Sequence, residues 1–199
     1  MCLFIETICY AHGRFQRLES HNERFNRTRH HFFGLQSIVE LESSLSIPQY
    51  LKNETVKCRV IYGPEIVSVD YSLYKIRPVN SLKIVRDDTI DYSYKYADRT
   101  KLDVLFNLRG QSDDILIVKN GFITDTSYAN IIFERNGKWY SPKNPLLRGT
   151  RIDSYFREGL VTPDSIQIND LPLFSEARIV NSMISIEHSP GIPIKSIME

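Results

Sequence analysis

The sequence predicts a strand-rich α+β protein. Three observations lead to this fold class: short apolar and β-branched segments, two Asn-Gly dipeptides that each separate a pair of such segments, and few stretches with helical spacing. The chain has 199 residues, of which 42% are hydrophobic and 25% charged, so it can bury a substantial core. Lys and Arg total 25 against 24 for Asp and Glu, which provides no general basic field for nucleic acid or anionic lipid.

The first part of the chain begins with a predicted hairpin. Residues 3–10 are apolar and β-branched like a strand, and His12-Gly13 turns the chain towards a second strand at residues 14–18. The same kinds of pattern predict three further elements in this part, namely a helix that begins at residue 46 and strands at residues 57–61 and 66–73.

A helix is predicted over residues 21–33. Ser20 and Glu23 have the spacing of a capping box, in which two side chains bind N–H groups at the start of a helix. No Pro or Gly interrupts the segment before Gly34, which can adopt the left-handed conformation that ends a helix. These signals define both ends of the predicted helix.

The sequence also predicts where the chain divides. The segment Arg77-Pro78-Val79-Asn80 has the least periodicity, and Pro78 cannot continue a strand ladder. We therefore expect a small N-terminal α+β domain over residues 1–78 and a C-terminal domain over residues 79–199.

The second part of the chain is predicted to consist of strands with two intervening helices. Asn120-Gly121 and Asn136-Gly137 favour type I′ turns, because both central residues of such a turn need a positive φ. Around these turns we expect strands at residues 81–86, 115–119, 122–124, 131–134, 138–141 and 178–186, and helices at residues 98–108 and 150–158.

Several classes of function find no support in the sequence. It contains no GxGxxG, Walker, HExxH or GxSxG motif, which argues against nucleotide-binding proteins, zinc proteases and serine hydrolases. Three cysteines without CxxC spacing indicate small buried side chains in a reducing cytosol rather than a disulfide framework. A basic leader and a long apolar run are also lacking, so we expect a cytoplasmic protein.

Six separated pieces of the sequence match a known enzyme family in their order and spacing. They are Phe4-Ile5-Glu6-Thr7-Ile8, His21 with Arg24, Tyr92-Ser93-Tyr94-Lys95, Asp125-Thr126-Ser127-Tyr128-Ala129-Asn130, Leu146-Leu147-Arg148-Gly149-Thr150-Arg151 and Asn181-Ser182-Met183. Together they resemble the class IV aminotransferases, which are fold-type IV pyridoxal phosphate enzymes, and the last piece is closest to the 4-amino-4-deoxychorismate lyase branch. The resemblance implies a two-domain D-amino-acid aminotransferase-like fold, with a shortened N-terminal α/β domain and a strand-rich C-terminal pseudo-barrel.

The resemblance implies a site for pyridoxal 5'-phosphate (PLP) in the cleft between the domains. Lys95 would form the Schiff base with the coenzyme and, once displaced by substrate, move a proton. Asp125 takes the place of the family's usual Glu and would keep the pyridine nitrogen protonated. The alternative is that Asp125 only caps the turn after its strand.

The phosphate group of the coenzyme needs hydrogen-bond donors. Gly149-Thr150 lies where a helix should begin, so N–H groups, the helix dipole and the Thr hydroxyl could bind one anion. The resemblance adds Arg24 as a bidentate charged contact, Ser182 as a hydroxyl, and Asn130 as a further coenzyme-binding residue. Taken singly, these residues also have ordinary explanations as a surface charge, a helix cap or polar strand residues.

Residues for the substrate and for metal ions are harder to assign. A substrate with a carboxylate needs a cation, for which Arg77, Arg148 and Arg59 are candidates. The pair His30-His31 is expected at the surface or an interface. It has no Cys or carboxylate partner at ligand spacing, so we expect no metal site.

The leading interpretation is a 4-amino-4-deoxychorismate lyase. The resemblance implies that such an enzyme releases pyruvate and 4-aminobenzoate, which serves folate synthesis. A class IV aminotransferase acting on branched-chain or D-amino acids is the nearest alternative, because both reactions begin with the same proton removal. A relative that binds the coenzyme without catalysis is a third alternative.

The resemblance also implies a homodimer with a small amine or amino-acid-like substrate, and we expect neither nucleic acid nor a membrane as a partner.

Overall fold

The computed structural model describes residues 2–199, which form two compact units. The first comprises the residues up to Lys75 together with Tyr94–Asp98, and the second comprises Ile76–Ser93 and Arg99–Glu199. The domain division at residue 78 stays a prediction, but the units differ from it in two respects: residues 76–78 belong to the second unit, and a later segment belongs to the first. The segment that carries Lys95 belongs to the first unit, whereas the sequence assigned it to the second domain.

The first unit contains an antiparallel sheet. Its strands are β1 (Phe4–Ala11), β2 (Arg14–Phe15), β3 (Val56–Tyr62) and β4 (Ile66–Leu73), and they pair in the order β2-β1-β3-β4. The predicted hairpin and both later strands are confirmed, although β2 is only two residues long. His12 and Gly13 turn the chain between β1 and β2 with φ values of 53° and 76°.

Helix α1 (Leu18–Phe33) begins earlier than predicted. Arg17 precedes it with a φ of 51°, and no side chain caps its first turn, so the predicted capping box is wrong. The short strand β2 delivers the chain directly into the helix, which places Ser20 inside the first turn. The predicted C-terminal end is confirmed, because Gly34 has a φ of 67° and donates its N–H to the His30 oxygen at 3.0 Å.

The helix predicted from residue 46 is wrong. In its place the chain has one short 3₁₀ turn, Gln49–Leu51, and another, Leu41–Ser44, precedes the predicted start. Leu51 packs against Tyr10 and Val56, but the neighbouring Tyr50 is 81% exposed. Ile47 packs against the same cluster, but a helix needs a continuous apolar face to be stabilised by packing, and two separated side chains do not provide it.

The second unit contains the remaining strands of residues 2–199. They are β5 (Leu82–Arg86), β6 (Asp114–Lys119), β7 (Phe122–Thr126), β8 (Asn130–Arg135), β9 (Lys138–Pro142), β10 (Val161–Asp164), β11 (Glu176–Val180), β12 (Ile192–Pro193) and β13 (Ile197–Met198). The main path of the sheet runs β10-β9-β8-β7-β6-β5-β13, and β11 pairs with β8 and β12. The pairs β10–β9, β5–β6 and β13–β5 are parallel, and the others are antiparallel.

Both Asn-Gly turns are confirmed. Asn120 and Gly121 have φ values of 50° and 81°, and Asn136 and Gly137 have values of 55° and 75°. Such paired positive φ angles are those of a type I′ turn. The strands predicted on either side of these turns are present as β6, β7, β8 and β9. The strand predicted at residues 81–86 is present as β5.

Two helices complete the second unit, α2 (Thr100–Phe106) and α3 (Thr150–Arg157), and both were predicted. The late strand predicted over residues 178–186 is wrong in its second half, because β11 ends at Val180. Asn181 ends it: its Oδ1 accepts the N–H groups of Met183 and Ile184 at 2.8 and 3.0 Å, which bends the chain into a turn.

Cys9 and Cys58 are buried as predicted, whereas Cys2 is exposed because it precedes the first strand. Among residues 2–199, no helix combines the length and the apolar character needed to span a membrane. Within the same residues, no group of three or more His, Cys, Asp or Glu side chains is arranged to hold a metal ion.

Candidate functional site

Lys95 lies on a short segment that is bonded to β1. The Ile5 N–H donates to the Lys95 oxygen at 2.9 Å, and the Ala97 N–H donates to the Leu3 oxygen at 2.8 Å. Between these bonds Phe4 pairs with Tyr96 as an antiparallel bridge. The segment therefore extends the sheet of the first unit, which explains why Lys95 belongs to that unit. The Lys95 side chain is half-buried.

Aromatic rings hold the Lys95 segment in the first unit. The rings of Phe4 and Tyr96 lie 5.3 Å apart between centroids, and His31 stacks on Tyr94 at 5.0 Å with an interplanar angle of 16°. Phe32 meets Tyr94 edge-on at 4.8 Å. His31 is exposed, as the sequence predicted, but its contact with Tyr94 was not foreseen. The end of α1 thus packs on the segment that carries Lys95.

Glu6 binds two residues of α1. Its carboxylate accepts hydrogen bonds from Arg24 Nε at 2.7 Å and Arg24 Nη2 at 2.6 Å, and its Oε2 lies 2.5 Å from His21 Nδ1. Glu6 and His21 are fully buried, and Arg24 is 7% exposed. The prediction treated Glu6 only as part of a strand motif. Its presence in an apolar strand is a signal that could have revealed the partnership, because a buried acid needs a partner.

The burial and the charges of this group shift two pKa values. Burial alone would raise the pKa of Glu6, but the charge and hydrogen bonds of Arg24, with the His21 bond, outweigh it and lower the pKa to about 2. Burial lowers the pKa of His21, although Glu6 opposes this shift. At neutral pH Glu6 is therefore ionised and His21 is neutral, and His21 Nδ1–H donates to the carboxylate. Arg24 is held in a fixed orientation by its bidentate pair.

In the second unit, Asp125 and Asn130 face each other across the β7–β8 pair. Asn130 Nδ2 donates to Asp125 Oδ1 at 2.7 Å and to the Leu147 oxygen at 2.8 Å. Asp125 Oδ2 accepts the Leu147 N–H at 3.0 Å. Asp125 therefore binds the loop before α3. A carboxylate has about four acceptor positions, so this role does not exclude the predicted bond from a pyridine nitrogen.

Gly149 lies against Asn130. Its N–H donates to Asn130 Oδ1 at 3.2 Å, and a Cβ added at Gly149 would clash with the same oxygen. The φ of Gly149 is −70°, which any residue adopts, so the close approach and not the backbone angle requires glycine. Thr150 follows as the first residue of α3 and is 5% exposed. Both N–H groups of the Asn130 amide are used within the chain, which makes it a residue that shapes this loop.

The turn that carries Ser182 is bound to the first turn of α3. Arg151 Nε donates to the Asn181 oxygen at 2.6 Å, and Arg151 Nη2 donates to the Ser182 oxygen at 3.0 Å. The sequence prediction included Arg151 only as part of a motif. Its partners are main-chain oxygens, which leave no signal in a sequence.

Two of the three candidate substrate arginines are paired with acids. Arg77 Nη2 lies 3.4 Å from Asp114 Oδ2, and Arg148 Nε lies 2.6 Å from Asp153 Oδ1. The side chains of Arg77 and Arg148 are 52% and 57% exposed, so both reach solvent. Arg59 lies on β3, between Thr7 and Asp70 of the neighbouring strands. The assignment of a substrate carboxylate to any of them stays a prediction.

The donors at the start of α3 have the chemistry of an anion site. Thr150 is the first residue of α3, and Ser182 is bound to Arg151 through its main-chain oxygen, so two residues with hydroxyl groups belong to this region. The helix adds its N–H groups and the positive end of its dipole, and Arg151 adds a positive charge. Asp153, an acid of this first turn, is neutralised by Arg148 and Arg157. This donor set fits the phosphate of PLP. Considered by itself, the first unit carries in Lys95 an amine of the kind that PLP requires, and its Arg24 is oriented by Glu6.

The chain matches known proteins along most of its length. The family model described as amino-transferase class IV matches residues 93–197. An uncharacterized protein from Haemophilus influenzae is 36% identical over 180 residues, which cover 89% of this chain and 96% of that protein.

Solved structures share the fold. A "putative 4-amino-4-deoxychorismate lyase" from Haemophilus somnus 129PT has a TM-score of 0.86 and 28% identity, over 92% of this chain and 97% of that chain. A hypothetical aminotransferase from Mycobacterium tuberculosis, in its PLP-bound form, has a TM-score of 0.74 and 14% identity, over 96% of this chain and 80% of that chain. At that identity the second likeness shows the fold alone.

These similarities confirm the predicted α+β architecture of fold type IV. The matching family consists of PLP-dependent enzymes. By the family match and the similarity along its length, the chain belongs to the class IV aminotransferase family.

Proposed function

We propose that this protein is a PLP-dependent 4-amino-4-deoxychorismate lyase. The observation that carries the proposal is the similarity to the Haemophilus somnus structure, which extends over 92% of the chain with a TM-score of 0.86. The Asn181-Ser182 pair, which resembles the lyase branch of the family, supports the same choice. The product 4-aminobenzoate would serve folate synthesis in the cytoplasm.

The proposed roles of the residues follow from what they offer chemically. Bound PLP would supply an electron sink for the pair of electrons that proton removal leaves behind. Lys95 would hold the coenzyme through Nζ and, once the substrate amine takes its place, accept the proton from the amine-bearing carbon. Asp125 would accept a hydrogen bond from the pyridine nitrogen. The residues proposed to bind the phosphate are Arg24, Gly149, Thr150 and Ser182, and Asn130 would support them.

The fixed orientation of these groups favours binding of a dianion by a nearly neutral chain. Glu6 holds Arg24 by two hydrogen bonds, so the guanidinium loses little freedom when it binds an anion. Asn130 and Asp125 fix the loop that leads into α3 in the same way. Within its own unit, each of these two groups would therefore be ordered before the ligand arrives.

An aminotransferase is the second candidate, because the family whose model matches is described as amino-transferase class IV. The same proton removal would then lead to a 2-oxo acid and pyridoxamine phosphate. Purified PLP-loaded protein incubated with 4-amino-4-deoxychorismate should release pyruvate and 4-aminobenzoate in equal amounts without an amino donor. The alternative result is that L- or D-amino acids convert the coenzyme to its pyridoxamine form, while aminodeoxychorismate releases no pyruvate. That result would contradict the lyase assignment and support an aminotransferase. A stable chromophore with no turnover of any amine would indicate the non-catalytic alternative.

We also propose that the protein forms a homodimer, as the resemblance implies. Light scattering of the purified chain should give twice the mass of 23.2 kDa. A monomer at micromolar concentration would contradict this proposal and leave the proposed reaction to be tested separately.

A further inference from the structure

The guanidinium of Arg151 joins two parts of the second unit that are distant in sequence. Two of its N–H groups bind the Asn181 and Ser182 main-chain oxygens. Nη1 also lies 3.5 Å from the Tyr155 hydroxyl, one turn further along α3. That hydroxyl in turn accepts the Ile186 N–H at 3.2 Å. The first two turns of α3 are therefore tied to the chain that follows β11.

The turn after β11 has a shape of its own. Asn181 and Ile184 exchange two main-chain hydrogen bonds, at 3.1 and 3.2 Å, and Asn181 Oδ1 accepts the Met183 and Ile184 N–H groups. The internal bonds fix the turn's conformation but not its place against α3. Arg151 contributes to that placement directly at Asn181 and Ser182, because its Nε and Nη2 bind consecutive carbonyls in the fork geometry of a guanidinium.

We propose that Arg151 is a positioning residue for the phosphate group of PLP. By binding the main chain of Ser182 from the residue next to Thr150, it would hold the two hydroxyls at the same end of α3. It would act through Ser182, because Nε and Nη2 are occupied by carbonyl oxygens. This inference rests on the proposed coenzyme site and adds to it a residue that organises the phosphate donors.

The test compares PLP with pyridoxal, which lacks the phosphate. Absorbance titrations should show that the wild-type protein binds PLP more tightly than pyridoxal. Arg151→Gln should reduce this preference by about tenfold or more, as expected for the loss of charge-assisted hydrogen bonds. Arg151→Lys should restore part of it, since an ammonium group lacks the fork geometry. Arg86→Gln is the matched control, because Arg86 pairs with Glu199 at the surface and has no part in the proposed site; it should leave the preference unchanged.

A double-mutant cycle tests whether Arg151 acts through Ser182. Ser182→Ala should lower the preference for PLP. In the Ser182→Ala background, Arg151→Gln should then lower the preference by less than it does in the wild-type background. The proposal is overturned if Arg151→Gln weakens PLP and pyridoxal equally, or if the two changes are fully additive. If Arg151→Gln does not fold, Arg151→Lys decides, and an unchanged preference overturns the proposal. A wild-type protein that does not bind PLP would contradict the proposed function itself, a result distinct from any of these.

Discussion

The backbone N–H of Ile5 donates to the main-chain oxygen of Lys95 at 2.9 Å, so the first strand of the chain fixes the position of Lys95. The Ala97 bond to Leu3 and the packing of Tyr96 on Phe4 reinforce this placement. A residue whose amine must meet the aldehyde carbon of a ligand benefits from a backbone that does not move. The segment that precedes α2 in sequence thus serves as part of the first unit's sheet.

Tyr96→Ala should loosen the Lys95 segment. The change removes the ring that packs on Phe4, and such ring pairs contribute about 0.5–1.5 kcal/mol each. We expect faster hydrogen exchange at the amides of Ile5 and Ala97, with β3 still protected. Tyr50→Ala is the control, because Tyr50 is 81% exposed. Unchanged exchange at Ile5 and Ala97 in Tyr96→Ala would show that the rings do not hold the segment.

Acid should destabilise the protein through Glu6. Its pKa falls from 4.5 to about 2 on folding, so between these pH values the unfolded chain binds the proton more readily than the folded chain. The stabilisation is complete above about pH 4.5 and is lost as the pH falls towards 2. Glu6→Gln should remove this part of the acid dependence. At neutral pH it should lower the free energy of unfolding by about 3–5 kcal/mol, because Arg24 loses its buried counter-charge.

Urea unfolding across this pH range measures both effects of Glu6→Gln. Glu199→Gln is a suitable control, because Glu199 also pairs with an arginine, Arg86, but at the surface. Solvent screens that pair, so its loss should hardly change the stability. A Glu6→Gln variant with the same acid dependence as the wild type would contradict the role assigned to Glu6.

Gly149→Ala should disturb the loop before α3. The added Cβ would clash with Asn130 Oδ1, and overpacking of this kind costs about 1–3 kcal/mol. We expect a lower thermal midpoint and weaker binding of PLP, with a smaller effect on pyridoxal. In an Asn130→Ala background the oxygen is gone, so the same glycine change should cost less. Equal costs in both backgrounds would mean that Asn130 is not the obstacle.

Asp125→Asn should affect both the loop and the reaction. One of its two bonded donors, Asn130 Nδ2 or Leu147 N, would then face an amide N–H, and the loss of a buried bond costs about 1–3 kcal/mol. If Asp125 also binds the pyridine nitrogen, PLP-loaded Asp125→Asn should turn over more slowly even where it is fully folded. Asp103→Asn is the control, since Asp103 is exposed on α2. Wild-type turnover in folded Asp125→Asn would restrict the residue to holding the loop.

The sequence predicts those parts of the fold whose signals are local. Asn120-Gly121 and Asn136-Gly137 specify their turns through φ, and Gly34 ends α1 for the same reason. The strands β10, β12 and β13 were missed. The first and the last pair in parallel and so lack the tight turn of a hairpin, and β12 is only two residues long.

The candidate site was predictable only in part, again for physical reasons. A resemblance over several motifs identifies Lys95, Asp125 and Thr150 as residues of interest, but not which groups orient them. Glu6 could have been found from the presence of an acid in an apolar strand. Arg151 could not, because its partners are carbonyl oxygens that every residue possesses.

The central claim is that Lys95 binds PLP covalently. Purified protein should be incubated with PLP, reduced with borohydride, digested and analysed by mass spectrometry, with Lys95→Ala alongside. The account predicts a pyridoxyl group on the peptide that contains Lys95, and none in a folded Lys95→Ala variant. The claim would be contradicted if another lysine carried as much pyridoxyl group as Lys95, or if the wild-type protein were not modified at all.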